Sequence, residues 1–114
     1  MHALCRTSDL APGEIIAGSL PDGSKVAIYN VDNTYYVTSD LCTHAESSLS
    51  EEGLLDGTVV ECGWHMGTFD VRTGEPTGRP CVVPLRTYPV TIIDGQVHIE
   101  VSDDRSSSYG SENP

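Results

Sequence analysis

Positive charge is what this chain has least of. Six Lys and Arg stand against seventeen Asp and Glu, a formal net charge of −11. That excludes a nucleic-acid binder, because phosphate contacts require a basic face. No apolar run approaches the roughly eighteen residues that cross a bilayer, and the N-terminus has no charged stretch leading into an apolar one. A cytoplasmic protein without membrane contact is expected. Helical periodicity is also missing from every stretch of about ten residues or more, which excludes a helix bundle. No internal repeat is present, and the 114 residues fit one domain.

The scarce positive charge is unevenly placed. From Val26 to Val71 there is no Lys or Arg, while Asp32, Asp40, Glu46, Glu51, Glu52, Asp56, Glu61 and Asp70 all fall there. Most of these carboxylates read as a solubilising surface, and some of them as a field that steers a basic partner.

What the chain does have is turn chemistry between short runs of β-formers. Met1 to Arg6 is a candidate first strand, and Glu14-Ile15-Ile16-Ala17 a second, closed by Leu20-Pro21-Asp22-Gly23-Ser24. Lys25 to Asn30 alternates, Asp32-Asn33 turns it, and Thr34 to Val37 runs back as a hairpin. Thr68 to Val71 is a strand ended by Thr73-Gly74. The Pro76 to Pro84 stretch, rich in proline, reads as a loop and belongs outside any central strand. Thr87 to Ile93, Asp94-Gly95 and Gln96 to Val101 form the clearest hairpin, with Val97, Ile99 and Val101 on one side and Gln96, His98 and Glu100 on the other. His98 is therefore read as a solvated strand residue. One short helical turn is expected at Glu46 to Leu49. The sum is an all-β domain of roughly eight to ten short strands. It spans residues 1–101, with a subdomain inserted at about 40–84, and its last stretch, 102–114, has too few apolar residues to order itself.

The chemistry lies between Cys42 and Gly67. Two short pairs occur there, Cys42-Thr43-His44 and Cys62-Gly63-Trp64-His65, each offering one thiolate and one imidazole. Cys5 and Cys81 have no such neighbour and read as ordinary buried or partly buried thiols. Two cysteines and two histidines can hold one zinc or one iron–sulfur cluster. Zinc fingers usually group both cysteines in one knuckle and both histidines on a helix. Here each half is mixed, which suits a two-iron cluster straddled by two loops, with imidazoles replacing thiolates on one iron.

These pairs, the continuation Thr68-Phe69-Asp70-Val71-Arg72-Thr73-Gly74 and the closing Pro84-Leu85-Arg86-Thr87-Tyr88 resemble the Rieske ferredoxins of bacterial aromatic-ring dioxygenase systems. The resemblance covers about residues 1–101. It implies the Rieske fold, an antiparallel β-sandwich or barrel-like base carrying a cluster-binding subdomain. It implies one [2Fe–2S] cluster on Cys42, His44, Cys62 and His65, with the imidazole iron outward. The Gly78 to Pro84 stretch resembles the family's proline-rich loop over the cluster, with Cys81 in place of a small apolar residue.

The role implied is a one-electron carrier and not an enzyme. It would take electrons from a flavin-dependent NADH:ferredoxin reductase and deliver them to the Rieske centre of a terminal oxygenase. No dinucleotide fingerprint and no ligand set for a mononuclear iron competes with that role. High-potential members of the wider family carry bridging cysteines and two hydroxyl donors; this chain has Ser47 and Trp64 at the former positions, and Gly67 and Phe69 at the latter. A low potential follows as the expectation. A Rieske-type small subunit of a nitrite reductase or of another oxygenase is the neighbouring alternative, and a structural zinc-bound interaction module the distant one.

Overall fold

A computed structural model describes residues 2–40, 48–62, 67–78 and 84–100. Among them lie eleven strands, one 3-10 turn at Thr7–Asp9 and one short helix, α1, at Leu49–Glu52. The strands are β1 (His2–Arg6), β2 (Ile15–Ser19), β3 (Lys25–Val31), β4 (Thr34–Ser39), β5 (Leu54–Asp56), β6 (Val59–Glu61), β7 (Thr68–Asp70), β8 (Pro76–Gly78), β9 (Thr87–Tyr88), β10 (Val90–Ile93) and β11 (Gln96–Ile99). They form three antiparallel sheets, ordered β1-β11-β10, β2-β3-β4-β9 and β5-β6-β7-β8.

The middle layer explains the arrangement. In β3 the residues Val26 to Asn30 are all buried, so both faces of that strand are covered. Successive side chains point to opposite faces of a strand. Val26 and Ile28 accordingly pack with Val97 and Ile99 of the first sheet, while Ala27 and Tyr29 pack with Val60 and Phe69 of the third. The β2-β3-β4-β9 sheet is thus sandwiched between the other two. Its strand β4 pairs with β9 through Val37 opposite Tyr88 and Thr38 opposite Thr87. Everything from Asp40 to Arg86 is inserted between two neighbouring strands.

The turns follow their residues. Asp32 and Asn33 both take positive φ, 52° and 68°, as do Asp94 and Gly95, 51° and 73°. These are the type I′ hairpin turns that match the twist of the strands they join.

Four sequence expectations need adjusting. The helical turn expected at Glu46 to Leu49 lies at Leu49–Glu52, where the Ser48 hydroxyl accepts the Glu51 N–H and caps it. The run from Thr87 to Ile93 is two strands in two sheets, because Pro89 has no N–H for either ladder. Pro76 to Gly78 is a strand, at the outer edge of its sheet, where proline is tolerated. His98 is only partly exposed: β11 runs between β1 and β10, Ala3 and Thr91 flank the ring, and its Nδ1 is buried.

Candidate metal centre

Of the expected ligands, Cys62 is described; Cys42, His44 and His65 lie outside the described residues, as do Cys81 and residues 101–114. Cys62 follows the last residue of β6 and is fully buried. Its N–H donates to the Gly67 carbonyl at 2.7 Å, closing the end of the β6–β7 hairpin where Glu61 faces Thr68. Cys62, the first residue of the second pair, is therefore tied to Gly67.

The segment carrying the first pair is tied at its ends as well. Asp40, just past β4, accepts the Leu49 N–H on its carbonyl at 2.7 Å and donates its own N–H to the Lys25 carbonyl at 3.2 Å. Its carboxylate takes the Ser48 hydroxyl at 2.6 Å and the Ser50 N–H at 2.8 Å. Upstream, the buried Thr38 hydroxyl donates to the Ser39 carbonyl at 2.9 Å and lies 2.7 Å from the Tyr29 hydroxyl, which leaves Tyr29 as the donor of that second bond. The proline-rich segment is held in the same manner, by the Leu85 N–H on the Gly74 carbonyl at 2.7 Å.

These tie points meet. Leu49 after the first segment, Cys62 at the start of the second and Leu85 after the third belong to one buried cluster, with Val60, Phe69 and Val71 beneath them. Cys62 thus packs fully buried among apolar side chains. A shielded thiolate at this point fits an iron–sulfur cluster, since the apolar shell around such a centre governs solvent access and potential. Among the described residues no group of three or more His, Cys, Asp or Glu side chains that could hold a metal ion is gathered. Cys5 lies half-buried on β1, and burial pushes its thiol pKa up, with Asp9 adding to the rise. A raised pKa leaves less thiolate, in keeping with an ordinary partly buried thiol.

Asp40 was read from the sequence as one of the surface carboxylates, yet it is 4% exposed. The only trace of this in the sequence is the Ser48-x-Ser50 spacing, two short donors that a carboxylate can gather. Asp70, by contrast, behaves as expected of a surface acid. It pairs with the exposed Arg72 at 2.8 Å, and hydrogen bonding from the Arg72 side chain holds its pKa below the ordinary carboxylate value.

Residues 1–89 match the Rieske [2Fe-2S] domain, and the chain belongs to that family. Among its relatives, the ferredoxin component of the p-cumate 2,3-dioxygenase system of Pseudomonas putida is 51% identical over 98 residues, spanning 86% of this chain and 83% of the relative. The structure of Sphingomonas yanoikuyae B1 ferredoxin superposes with a TM-score of 0.83 at 42% identity, covering 88% of this chain and 97% of that one. A chain from the complex of reduced oxygenase and oxidized ferredoxin in carbazole 1,9a-dioxygenase gives a TM-score of 0.81 at 42% identity, with 86% and 99% covered.

Proposed function

We propose that this chain is the electron carrier of an aromatic-ring dioxygenase system, receiving one electron at a time from a flavin-dependent NADH:ferredoxin reductase and passing it to the Rieske centre of the terminal oxygenase. The observation that carries this reading is the convergence of Leu49, Cys62 and Leu85, which brings the ends of the three inserted segments to one buried place. The relatives named as ferredoxin components, and the complex of a similar ferredoxin with its oxygenase, support the dioxygenase setting.

We assign the cluster to Cys42, His44, Cys62 and His65, within a cluster-binding subdomain of residues 40–84 on a base completed by residue 101. When bound, the cluster supplies a centre that takes up and releases a single electron. The chain's part is to hold two thiolates and two imidazoles in place and to keep water from the sulfur side, through Val60, Phe69 and Leu85. Gly67 and Phe69 offer no hydroxyl to a sulfur, and fewer donors stabilise the added electron less. The potential then belongs at the low end of the Rieske window of about −150 to +300 mV. No helix among the described residues is long and apolar enough to cross a membrane. We place the carrier in the cytoplasm, where NADH is available.

The test is spectroscopic. The purified protein should be reddish-brown with Rieske-type visible and EPR spectra. Both should disappear in His44→Ala and Cys62→Ser and survive in Cys5→Ser. A Cys5→Ser protein without its cluster would overturn the assignment, as would a voltammetric midpoint above about +100 mV for the low-potential reading, being well inside the upper part of the family window.

A further inference from the structure

Strand β9 is shorter than the strand it borders. β4 offers an edge from Thr34 to Ser39, yet β9 pairs with it only at Val37 and Thr38. Pro89 then turns the chain away, and Val90 pairs with Ile99 in another sheet instead of running on past Tyr35. Antiparallel partners alternate between pairs that exchange hydrogen bonds and pairs that do not. The Asn30 N–H and C=O are used on Glu14 and Gly13, just before β2, so the Asn30–Tyr35 pair is of the second kind. The Tyr35 N–H and C=O therefore point away from β3, as does the Ser39 N–H, which reaches the Arg86 carbonyl at 2.9 Å. Among the described residues nothing takes the two Tyr35 groups. They form a short open sheet edge, a ready template for another strand.

A groove of about 450 Å³ opens on this edge, lined by Tyr35, Tyr36 and Tyr88 together with Pro89 and Val90. Arg72 lines it too, with its side chain 54% exposed. Its Nε and Nη2 donate to Asp70, and Nη1 has no partner among the described residues. Arg86 lies over the Tyr88 ring, 5.2 Å from the centroid, and forms no ion pair among the described residues. Two of the chain's six cations thus gather at one slot. Tyr35 stands near the start of β4, and Arg72 follows the end of β7 remote from Thr68, which faces Glu61 beside Cys62. The slot lies away from Cys62.

We propose that this groove is a docking site for an extended, acidic segment of a partner protein, which adds to β4 where β9 stops. Main-chain hydrogen bonds to Tyr35 supply attachment, the tyrosine walls take alternate side chains, and a carboxylate meets Arg72. A second copy of this chain fits less well, because the edge it would offer, Thr34 to Val37, has no carboxylate. An occupant here leaves the Cys62 end uncovered. The inference does not use the cluster assignment, so it stands or falls separately from the proposed function.

Amide hydrogen exchange of the full-length protein, read by NMR, tests this. The probe is a short capped peptide alternating Val and Glu, with its Val/Lys counterpart as control. About 1 mM of the Val/Glu peptide should slow exchange at Tyr35 about threefold or more, as a Kd of about 0.5 mM or tighter requires. Tyr36, whose N–H faces Tyr29 on β3, should not respond. The Val/Lys peptide should do less; Arg72→Ala should remove the difference between the two peptides, and Arg72→Lys should keep it. An unchanged Tyr35 rate, or a preference that Arg72→Ala leaves intact, overturns the proposal. Protection of Tyr35 without peptide also counts against it. If that protection grows with protein concentration, the occupant is a second copy; if it is lost in the full chain carrying Asp103→Asn and Asp104→Asn, the occupant is the chain's own stretch 102–114.

Discussion

Phe69 lies fully buried on β7, in the same apolar cluster as Cys62. Its ring packs in the cluster that holds Cys62 and offers no hydroxyl to a sulfur. Adding a hydroxyl at that place is a direct probe of the low-potential reading. Phe69→Tyr should raise the midpoint potential in protein-film voltammetry if the new O–H reaches sulfur, and a midpoint no higher than the wild type would show that donor loss at this residue is not the cause. Asp40 marks the limit of what single residues reveal in a sequence. Glu51 and Asp40 look alike as letters in an acidic stretch, and one is on the surface while the other is inside. The difference comes from the donors at Ser48 and Ser50, which fold back across a segment that only the tertiary structure closes.

At the scale of elements, legibility follows the strength of the turn. Asp32-Asn33 and Asp94-Gly95 are backbone shapes that few residue pairs adopt cheaply, so their hairpins could be placed from the sequence. The β5–β6 hairpin carries a comparable signal, Gly57 with φ 61° at the first turn position. It was not anticipated, because strands of three residues leave too little alternation to recognise. The division of the Thr87 to Ile93 run was hidden for a different reason: Pro89 breaks a ladder, but only the packing of Val90 against Ile99 shows which sheet the second half joins.

Another element carries a sharper demand. Gly74 has φ 79°, and a Cβ there would run into the Leu85 carbonyl oxygen. Gly74→Ala should lose more than about 1 kcal/mol of stability in chemical denaturation, and the loosened Leu85 tie should show as faster hydrogen exchange at that amide. The turn just before it carries the pH dependence. Asp70 has its folded pKa lowered by the Arg72 hydrogen bond. Its stabilising contribution is thus complete above the ordinary carboxylate pKa and is lost as pH falls through the lowered value. In Arg72→Ala, the Asp70 titration followed by NMR should move back up toward that ordinary value.

For the whole molecule, charge governs encounter and layers govern integrity. A net charge of −11 with no cation from Val26 to Val71 makes association with a basic docking face sensitive to screening. Stopped-flow reduction by the reductase should slow as ionic strength rises from about 0.01 M to 0.5 M, across which the screening length shrinks from about 30 Å to a few ångströms. A rate indifferent to salt would remove the steering role from the acidic stretch. The mixed Cys–His pairs proposed as ligands stand out in the sequence because metal coordination fixes residue types and short spacings. The three-layer stacking was not, since it depends on β3 being covered twice, and a run such as Lys25 to Val31 reads the same whether one face or both are covered.

The insertion between β4 and β9 also sets a timetable. In the chain, β10 and β11 follow the inserted segments, and β11 is the strand that joins β1 to β10. A ribosome therefore releases both Cys–His pairs before the β1-β11-β10 sheet can be completed. The base closes last in synthesis, but it does so through strand pairs that include no ligand. Chain order thus allows the scaffold to form first and the iron to come second.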